Sequence, residues 1–176
     1  MKYLIMLEGR NENALMNAII SKDIFLIDSD DMIDLQPLVI RKIKGRALVY
    51  INALPPAEEV TILRIGDTLR EKFSIPRELK SKIVNILRIC SKPELEILII
   101  ISENVYGKFK RQKVWPQPKE YCVANISFEG KKFDKSSKWI ENYFLKHNIK
   151  TILGKYKRYM RANHSNSEKF LFDYIK

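Results

Sequence analysis

Five carboxylates stand beside apolar runs of this chain, at places where strands are predicted to begin or end. They are Glu8 and Glu12 after the first run, Asp67 after a second, and Glu94 and Glu96 before a third. Carboxylates at strand ends, with a glycine that lets the backbone approach closely, are typical of sites for a hard divalent cation in α/β proteins. The same pattern also occurs on solubilising edges, so it favours a metal site without establishing one.

The chemistry that such residues support is magnesium-dependent hydrolysis. Mg²⁺ prefers octahedral oxygen coordination, keeps several waters, and can be held by one or two carboxylates plus a substrate phosphate. Glu8 and Asp67 alone therefore suffice as ligands, and we predict Glu12 as a third metal ligand. Bound Mg²⁺ or Mn²⁺ would polarise a scissile phosphate and activate a water for in-line attack. We assign catalytic roles to Glu8, Asp67 and Glu96, with Glu96 or Glu12 as general base or further ligand.

Each of these residues also has a structural interpretation. Glu8 with Gly9 can be a polar strand end followed by a tight turn. Asp67 after Gly66 can be a helix N-cap, because Asp is a preferred capping residue. Glu96 lies between apolar neighbours, and a buried carboxylate needs a partner. Its position therefore predicts either a site or a structural ion pair.

The elements that must position these residues follow from the apolar pattern, which predicts an α/β fold with a mainly parallel sheet flanked by helices. The predicted strands are Tyr3–Leu7, Ile24–Ile27, Ala47–Ile51, Val60–Ile65 and Leu95–Ile101. The predicted helices are Asn13–Ser21, Thr68–Phe73, Pro76–Ile89, Trp139–Lys146, Ile149–Met160 and Glu168–Ile175, with Leu38–Ile43 as a short helix or strand. We expect Tyr3–Leu7, Val60–Ile65 and Leu95–Ile101 to share one sheet, because buried parallel strands are nearly continuous apolar runs.

The charge of the chain is segregated. Residues 1–102 carry 15 Lys and Arg against 14 Asp and Glu, whereas residues 103–176 carry 17 against 7. A segregated basic surface is typical of polyanion binders, and we predict nucleic acid as the partner. The predicted nucleic-acid-binding residues are Lys108, Lys110, Arg111 and Lys113 in a basic loop or linker (Lys108–Glu120), and Lys155, Lys157, Arg158 and Arg161 in a helix.

Aromatic residues lie among these basic residues, where they can stack on unpaired bases while Lys and Arg contact phosphates. The alternative is a well-solvated surface of a lysine-rich chain whose aromatics dock helices on the core.

The remaining composition excludes several classes of protein. Cys90 and Cys122 have no CxxC spacing, which argues against a zinc finger and against a disulfide framework. The chain has no Gly-rich phosphate loop, so it carries no motif for driving nucleotide hydrolysis. Its longest apolar run is far too short to span a bilayer, and we expect a cytoplasmic protein without membrane contact.

Two motifs resemble the Toprim fold, and among Toprim-related proteins the RloB-like group linked to bacterial restriction and abortive-infection loci. The matching text is Leu7-Glu8-Gly9 and Ser91-Lys92-Pro93-Glu94-Leu95-Glu96-Ile97-Leu98, within residues 1–102. The family's Asp-x-Asp is reduced here to Asp67 alone, and the histidine expected near Ser102 is missing. Asp28 and Asp30 form an Asp-x-Asp, but earlier in the chain than the family places it. The metal site is therefore either built with fewer ligands or decayed.

The resemblance implies shared magnesium at the acidic strand ends, nuclease activity in a bacterial or phage conflict system, and an ATPase partner protein. We predict a Toprim-like core over residues 1–102 and a basic, mostly helical extension over residues 103–176 that packs on it. The predicted function is metal-dependent phosphodiester cleavage of DNA or RNA. The alternative is a non-catalytic module that binds nucleic acid or a protein partner. The oligomeric state stays open.

Overall fold

The computed structural model describes residues 1–67, 69, 71–112 and 117–176. Its strands are β1 (Lys2–Leu7), β2 (Leu38–Val39), β3 (Val60–Gly66), β4 (Ile83–Cys90), β5 (Ser127–Phe128), β6 (Lys131–Lys132) and β7 (Glu168–Lys169). Its α-helices are α1 (Arg10–Ser21), α2 (Arg46–Ala53), α3 (Ile97–Ser102), α4 (Tyr106–Lys110), α5 (Pro118–Asn125), α6 (Ser137–Lys146) and α7 (Ile149–Met160). Short 3-10 turns occupy Ser29–Asp31, Ile33–Leu35, Arg77–Leu79, Arg161–Asn163 and Leu171–Tyr174.

Five strands form one parallel sheet in the order β2-β1-β3-β4-β7. β1 runs beside β3 from Lys2 opposite Val60 to Leu7 opposite Ile65. β5 and β6 pair separately as an antiparallel hairpin. The predicted α/β class, a mainly parallel sheet flanked by helices, is confirmed, as are the strands at Tyr3–Leu7 and Val60–Ile65.

Both faces of the sheet are covered, which explains why β1 and β3 are mostly apolar, with Thr61 and Arg64 as the buried polar residues of β3. Successive side chains of a strand point to opposite faces. Ile5 and Leu7 of β1 therefore join a large core with α1, α3, α6 and α7, whereas Leu4 and Met6 join a smaller core with α2.

Residues 103–176 contribute to the same structure. Their helices α6 and α7 pack buried side chains such as Tyr143 and Leu153 into the large core, and β7 pairs in parallel with β4. α6 begins at an N-cap, where the Ser136 hydroxyl accepts from the Trp139 N–H at 3.1 Å. Among the described residues, no helix has the length and apolar character needed to cross a membrane.

The prediction of a strand at Leu95–Ile101 is wrong. Residues Ile97–Ser102 form α3, whose five apolar residues are all buried. A short apolar run does not distinguish a buried strand from a helix buried on every side, and here the run is enclosed between the sheet, α5 and α7.

Several other local predictions are also wrong. Ala47–Ile51 lies in helix α2, Ile24–Ile27 forms no strand, and Pro76–Ile89 is a 3-10 turn followed by β4. Glu168–Ile175 is β7 and a 3-10 turn rather than a helix. In each case tertiary packing overrides local propensity: β4, for example, is buried only at its two ends and is held as a strand by its pairing with β3.

The remaining predictions were closer to the structure. The helices at Asn13–Ser21, Trp139–Lys146 and Ile149–Met160 are confirmed, and Leu38–Ile43 contains the short strand β2. Within Thr68–Phe73 the described residues form no helix, and Thr68 and Arg70 lie outside the described residues. The predicted loop at Lys108–Glu120 contains the end of α4 and the start of α5, and residues 113–116 lie outside the described part.

Candidate functional site

The acidic residues meet where the order of the sheet reverses. From β1 the chain continues to β2 on one side, and then crosses to β3 on the other side of β1. Ligands of open parallel sheets bind beyond the carboxyl ends of the strands at such a switch point. Glu8 follows β1 and Asp67 follows β3, and the Glu8 N–H donates to the Ile65 carbonyl at 2.9 Å.

Glu8 and Asp67 are in direct contact. The backbone N–H of Asp67 donates to Glu8 Oε2 at 3.0 Å. The turn between them depends on Gly66, because a Cβ added there would lie 2.7 Å from the Glu8 Cβ and would also collide with its carboxylate. Gly66 is therefore the position that allows the two acidic strand ends to approach each other.

Two further carboxylates are buried beside this pair. Glu12 lies in the first turn of α1 and is only 6% exposed, and Glu96 lies at the start of α3 and is 3% exposed. Asn11 Nδ2 donates to Glu96 Oε1 at 3.4 Å. The Glu12 Oε2 lies 3.0 Å from where a Cβ on Gly9 would stand, so the glycine after Glu8 leaves room for this side chain.

Together these residues line an open cleft of about 300 Å³. Its lining side chains comprise acidic and basic groups: Glu8, Glu12, Asp67, Glu94 and Glu96, with Arg10, Arg41 and Lys119. Arg41 Nη2 lies 3.7 Å from Glu8 Oε1, and the backbone N–H of Lys119 donates to Glu94 Oε2 at 3.1 Å. The cleft therefore combines carboxylates for a cation with cationic groups for an anion.

The electrostatics of the cleft favour protonated carboxyls. Burial, followed by the charges of Glu12, Glu96 and Glu8, raises the pKa of Asp67 to about 8. Burial is also the main reason why the pKa values of Glu12 and Glu96 are raised. Loss of hydration and like-charge repulsion both disfavour the ionised form. A cation in the cleft would oppose both effects, because an opposite charge nearby favours the ionised form.

The donor set fits a magnesium ion held by few protein ligands. Asp67 Oδ1 is buried and has no hydrogen-bond partner among the described residues. Within the same residues, no group of three or more His, Cys, Asp or Glu is already arranged to hold a metal ion. Mg²⁺ commonly uses one or two carboxylates and completes its coordination with water and phosphate oxygens. Glu8 and Asp67 match that mode.

The structure places in one cleft the four acidic residues to which the sequence assigns catalytic or metal-binding roles, and also Glu94. It also adds residues that sequence reasoning missed. Gly66 had a detectable signal, since it ends a strand directly before the acidic residue. Arg41 and Lys119 had none, because their approach to the cleft depends on tertiary packing. Asp67 caps no helix in the described residues, where the next helical turn begins at Arg77.

The predicted nucleic-acid-binding residues fall into two groups. Lys108 and Lys110 lie on α4 and Arg111 directly follows it, whereas Lys155 and Arg158 lie on α7 and Arg161 directly follows that helix. The two helices meet where the Tyr106 and Tyr159 rings stack. Lys157 faces elsewhere: it forms an ion pair with Asp173 and lies over the Phe172 ring. Lys113 is outside the described residues.

Another buried carboxylate, that of Glu168 in β7, lies outside the cleft and is surrounded by cations. Its oxygens pair with Lys92 Nζ at 2.7 Å and Arg88 Nη2 at 3.2 Å, and it accepts from the Ser165 N–H at 2.8 Å. Burial opposes ionisation, but the Lys92 and Ser165 hydrogen bonds outweigh it and lower the pKa of Glu168 to about 2. This network fixes β7 against β4.

Comparison of the chain with protein-family models, with curated proteins and with solved structures finds no match.

Proposed function

We propose that the protein is a metal-dependent phosphodiesterase acting on DNA or RNA, with its centre in the acidic cleft. The observation that carries this proposal is that several carboxylates meet at the switch point and that no cationic side chain pairs with Asp67 in the described residues. Its Oδ1 has no partner in the described residues, and its pKa is raised to about 8. Such an arrangement destabilises the fold unless something compensates, and a divalent cation is the ligand that suits it.

In this proposal Glu8 and Asp67 hold the ion, and Glu12 lies beside them in the same cleft, where it would become a further ligand only after a shift of its side chain. When bound, Mg²⁺ or Mn²⁺ polarises a phosphodiester and activates water. Glu96 accepts the proton from the attacking water, and its raised pKa suits that role because a general base is most effective when its pKa approaches the working pH. Arg41 and Lys119 offer positive charge to the phosphate.

The biological setting is proposed from the motif resemblance. Leu7-Glu8-Gly9 and Ser91–Leu98 support a Toprim-like nuclease of a bacterial or phage conflict system. The chain has no Walker lysine motif, so an ATPase partner would supply any nucleotide-driven step.

The direct test is cleavage of labelled single-stranded and duplex DNA and RNA with Mg²⁺, with Mn²⁺ and with EDTA. We expect metal-dependent products from the wild type and none from Glu8→Gln, which keeps the size of the side chain. Glu71→Gln is the matched control, because Glu71 also pairs with Arg41, at 3.0 Å, but is exposed. Equal activity of Glu8→Gln and the wild type would overturn the proposal.

One observation favours the non-catalytic alternative. The two oxygens of Glu8 are already engaged, one by the Asp67 N–H and the other near Arg41. In a binding module, this contact would simply lock the strand ends. A binding module of this kind would bind nucleic acid without cleaving it. Its affinity would change neither with divalent cations nor in Glu8→Gln.

A further inference from the structure

A column of aromatic rings runs from the core to the surface between α4 and α7. Phe109 is buried and meets the Tyr121 ring edge-on at 5.2 Å. Tyr106 stacks on Phe109 at 6.4 Å, and Tyr159 stacks on Tyr106 at 5.1 Å with their planes 10° apart. The column ends at Tyr159, which is 43% exposed. Its inner rings are fixed by packing, so the outermost ring is held in a defined orientation.

Basic groups surround the exposed end of the column. The Arg158 guanidinium lies 5.4 Å from the Tyr159 ring centre, and Lys110 Nζ lies 5.6 Å from that of Tyr106. Lys155 Nζ donates to Asn104 Oδ1 at 2.8 Å, which joins α7 to the turn before α4. Neither Arg158 nor Lys110 forms a salt bridge within the described residues.

Helical spacing explains why these residues share a face. Lys155, Arg158 and Tyr159 are separated by three and four residues, so they line one side of α7. Lys157 lies on another side, where Asp173 neutralises it. We call the face formed by Tyr106, Lys110, Lys155, Arg158 and Tyr159 the aromatic platform.

Core packing alone does not require this composition. Phe109 already anchors α4 in the core, and a tyrosine with an exposed face adds little to that anchoring. An exposed aromatic ring flanked by unpaired cations is, in contrast, the arrangement that binds single-stranded nucleic acid: bases stack on the ring and cations contact the backbone. A base pair buried inside a duplex offers no free face to such a ring.

We propose that the aromatic platform binds unpaired bases of single-stranded nucleic acid, with a base stacked on Tyr159 and adjacent phosphates contacted by Arg158, Lys110 and Lys155. Arg158 exchanges its contact with the ring for a phosphate when the base arrives. This inference rests on the proposed function in taking nucleic acid as the substrate. It adds that the substrate is single-stranded where it contacts the platform.

Fluorescence anisotropy in EDTA tests the platform apart from cleavage. The probes are labelled 20-nucleotide single strands of DNA and of RNA, and the corresponding duplexes. We expect the wild type to bind single strands more tightly than duplex. Tyr159→Leu should weaken single-strand binding about tenfold, whereas Tyr159→Phe should retain it, since stacking needs the ring and not the hydroxyl.

Two controls separate stacking from charge and from general surface effects. Tyr50→Leu removes a comparable tyrosine, 39% exposed and with Arg46 at 5.9 Å from its ring, on the opposite face of the sheet. It should leave affinity unchanged.

The charge contribution is tested by the double variant Lys110→Gln/Arg158→Gln. It should reduce the slope of log affinity against log salt by roughly 1.4, that is about 0.7 per contact, whereas Lys150→Gln should not change this slope.

Thermal melts establish that each variant is folded. Tighter binding to duplex, or equal single-strand affinity for Tyr159→Leu and Tyr159→Phe, would overturn the platform even if the wild type cleaves nucleic acid. Loss of single-strand binding in Tyr159→Leu would support it even if no variant cleaves, and would then count against the proposed hydrolysis alone. Absence of all nucleic-acid binding by the wild type would overturn both.

Discussion

Two groups of buried carboxylates in this molecule have opposite electrostatics. Glu168, at the edge of the sheet, is paired with Lys92 and Arg88, and its pKa is lowered to about 2. Asp67, at the switch point, lacks such a partner, and its pKa is raised to about 8. Both positions belong to one sheet, so the difference does not come from the fold class. Glu168 serves the structure, whereas the cleft around Asp67 retains a cost that only a ligand offsets.

The largest expected effect on stability comes from replacing Glu168, the carboxylate that is paired with Lys92 and Arg88. Glu168→Gln leaves Lys92 and Arg88 without a counter-charge, and we expect a loss of about 3 kcal/mol in the free energy of unfolding, since breaking a buried pair strands its partner. Urea denaturation measures the change. Glu129→Gln is the control, because its pair with Lys146 is exposed and its loss should have almost no effect. If Glu168→Gln were as stable as the wild type, Glu168 would have no structural role.

The next largest effect concerns Gly66. An added methyl group in Gly66→Ala must displace Glu8, and we expect destabilisation of about 2 kcal/mol together with weaker cation binding. Urea denaturation and a thermal-shift titration with Mn²⁺ measure the two effects. Gly107→Ala is the matched control, because nothing lies within 4 Å of the Cβ it would add. Full cation binding by Gly66→Ala would show that the position of Glu8 is unimportant.

Replacing Asp67, the carboxylate without a partner, should increase the stability of the protein rather than reduce it. In EDTA at pH 8 we expect Asp67→Asn to be more stable than the wild type by about 1 kcal/mol, since removal of a desolvated charge relieves its cost. Urea denaturation again provides the measurement. Destabilisation by Asp67→Asn at this pH would mean that the carboxylate has a favourable partner.

The last prediction concerns how the stability of the metal-free protein depends on pH. Asp67 keeps its proton in the folded state up to about pH 8 but loses it near pH 4 when unfolded, so its contribution falls as pH rises between those values. Glu168 acts in the other direction: its contribution is present above its unfolded pKa and is lost as pH falls toward 2. In melting curves from pH 3 to pH 9, stability should fall below about pH 4, and it should also fall as pH rises from about 4 to 8. Asp67→Asn should flatten only the fall between pH 4 and pH 8. An unchanged fall over this range in that variant would assign it to other groups.

The sequence was most informative where a single periodicity dominates. β1 and β3 are mostly apolar, and α6 and α7 have clear helical spacing. The acidic residues after the strands could be predicted to meet because parallel strands end at one edge. Ile97–Ile101 was misassigned because a helix buried on all sides and a buried strand have the same apolar composition. The pairing of Lys157 with Asp173, and the approach of Arg41 to Glu8, depend on side chains distant in sequence, and no local pattern reports them.

The most direct test of the cation site is isothermal titration calorimetry of Mn²⁺ into the metal-free protein at pH 7, in two buffers of different ionisation enthalpy. Because the pKa of Asp67 lies at about 8 without metal, a cation bound by its carboxylate must displace a proton. We predict saturable binding with release of close to one proton in the wild type, and weaker binding without proton release in Asp67→Asn. Absence of binding, or the same proton release from both proteins, would contradict the account.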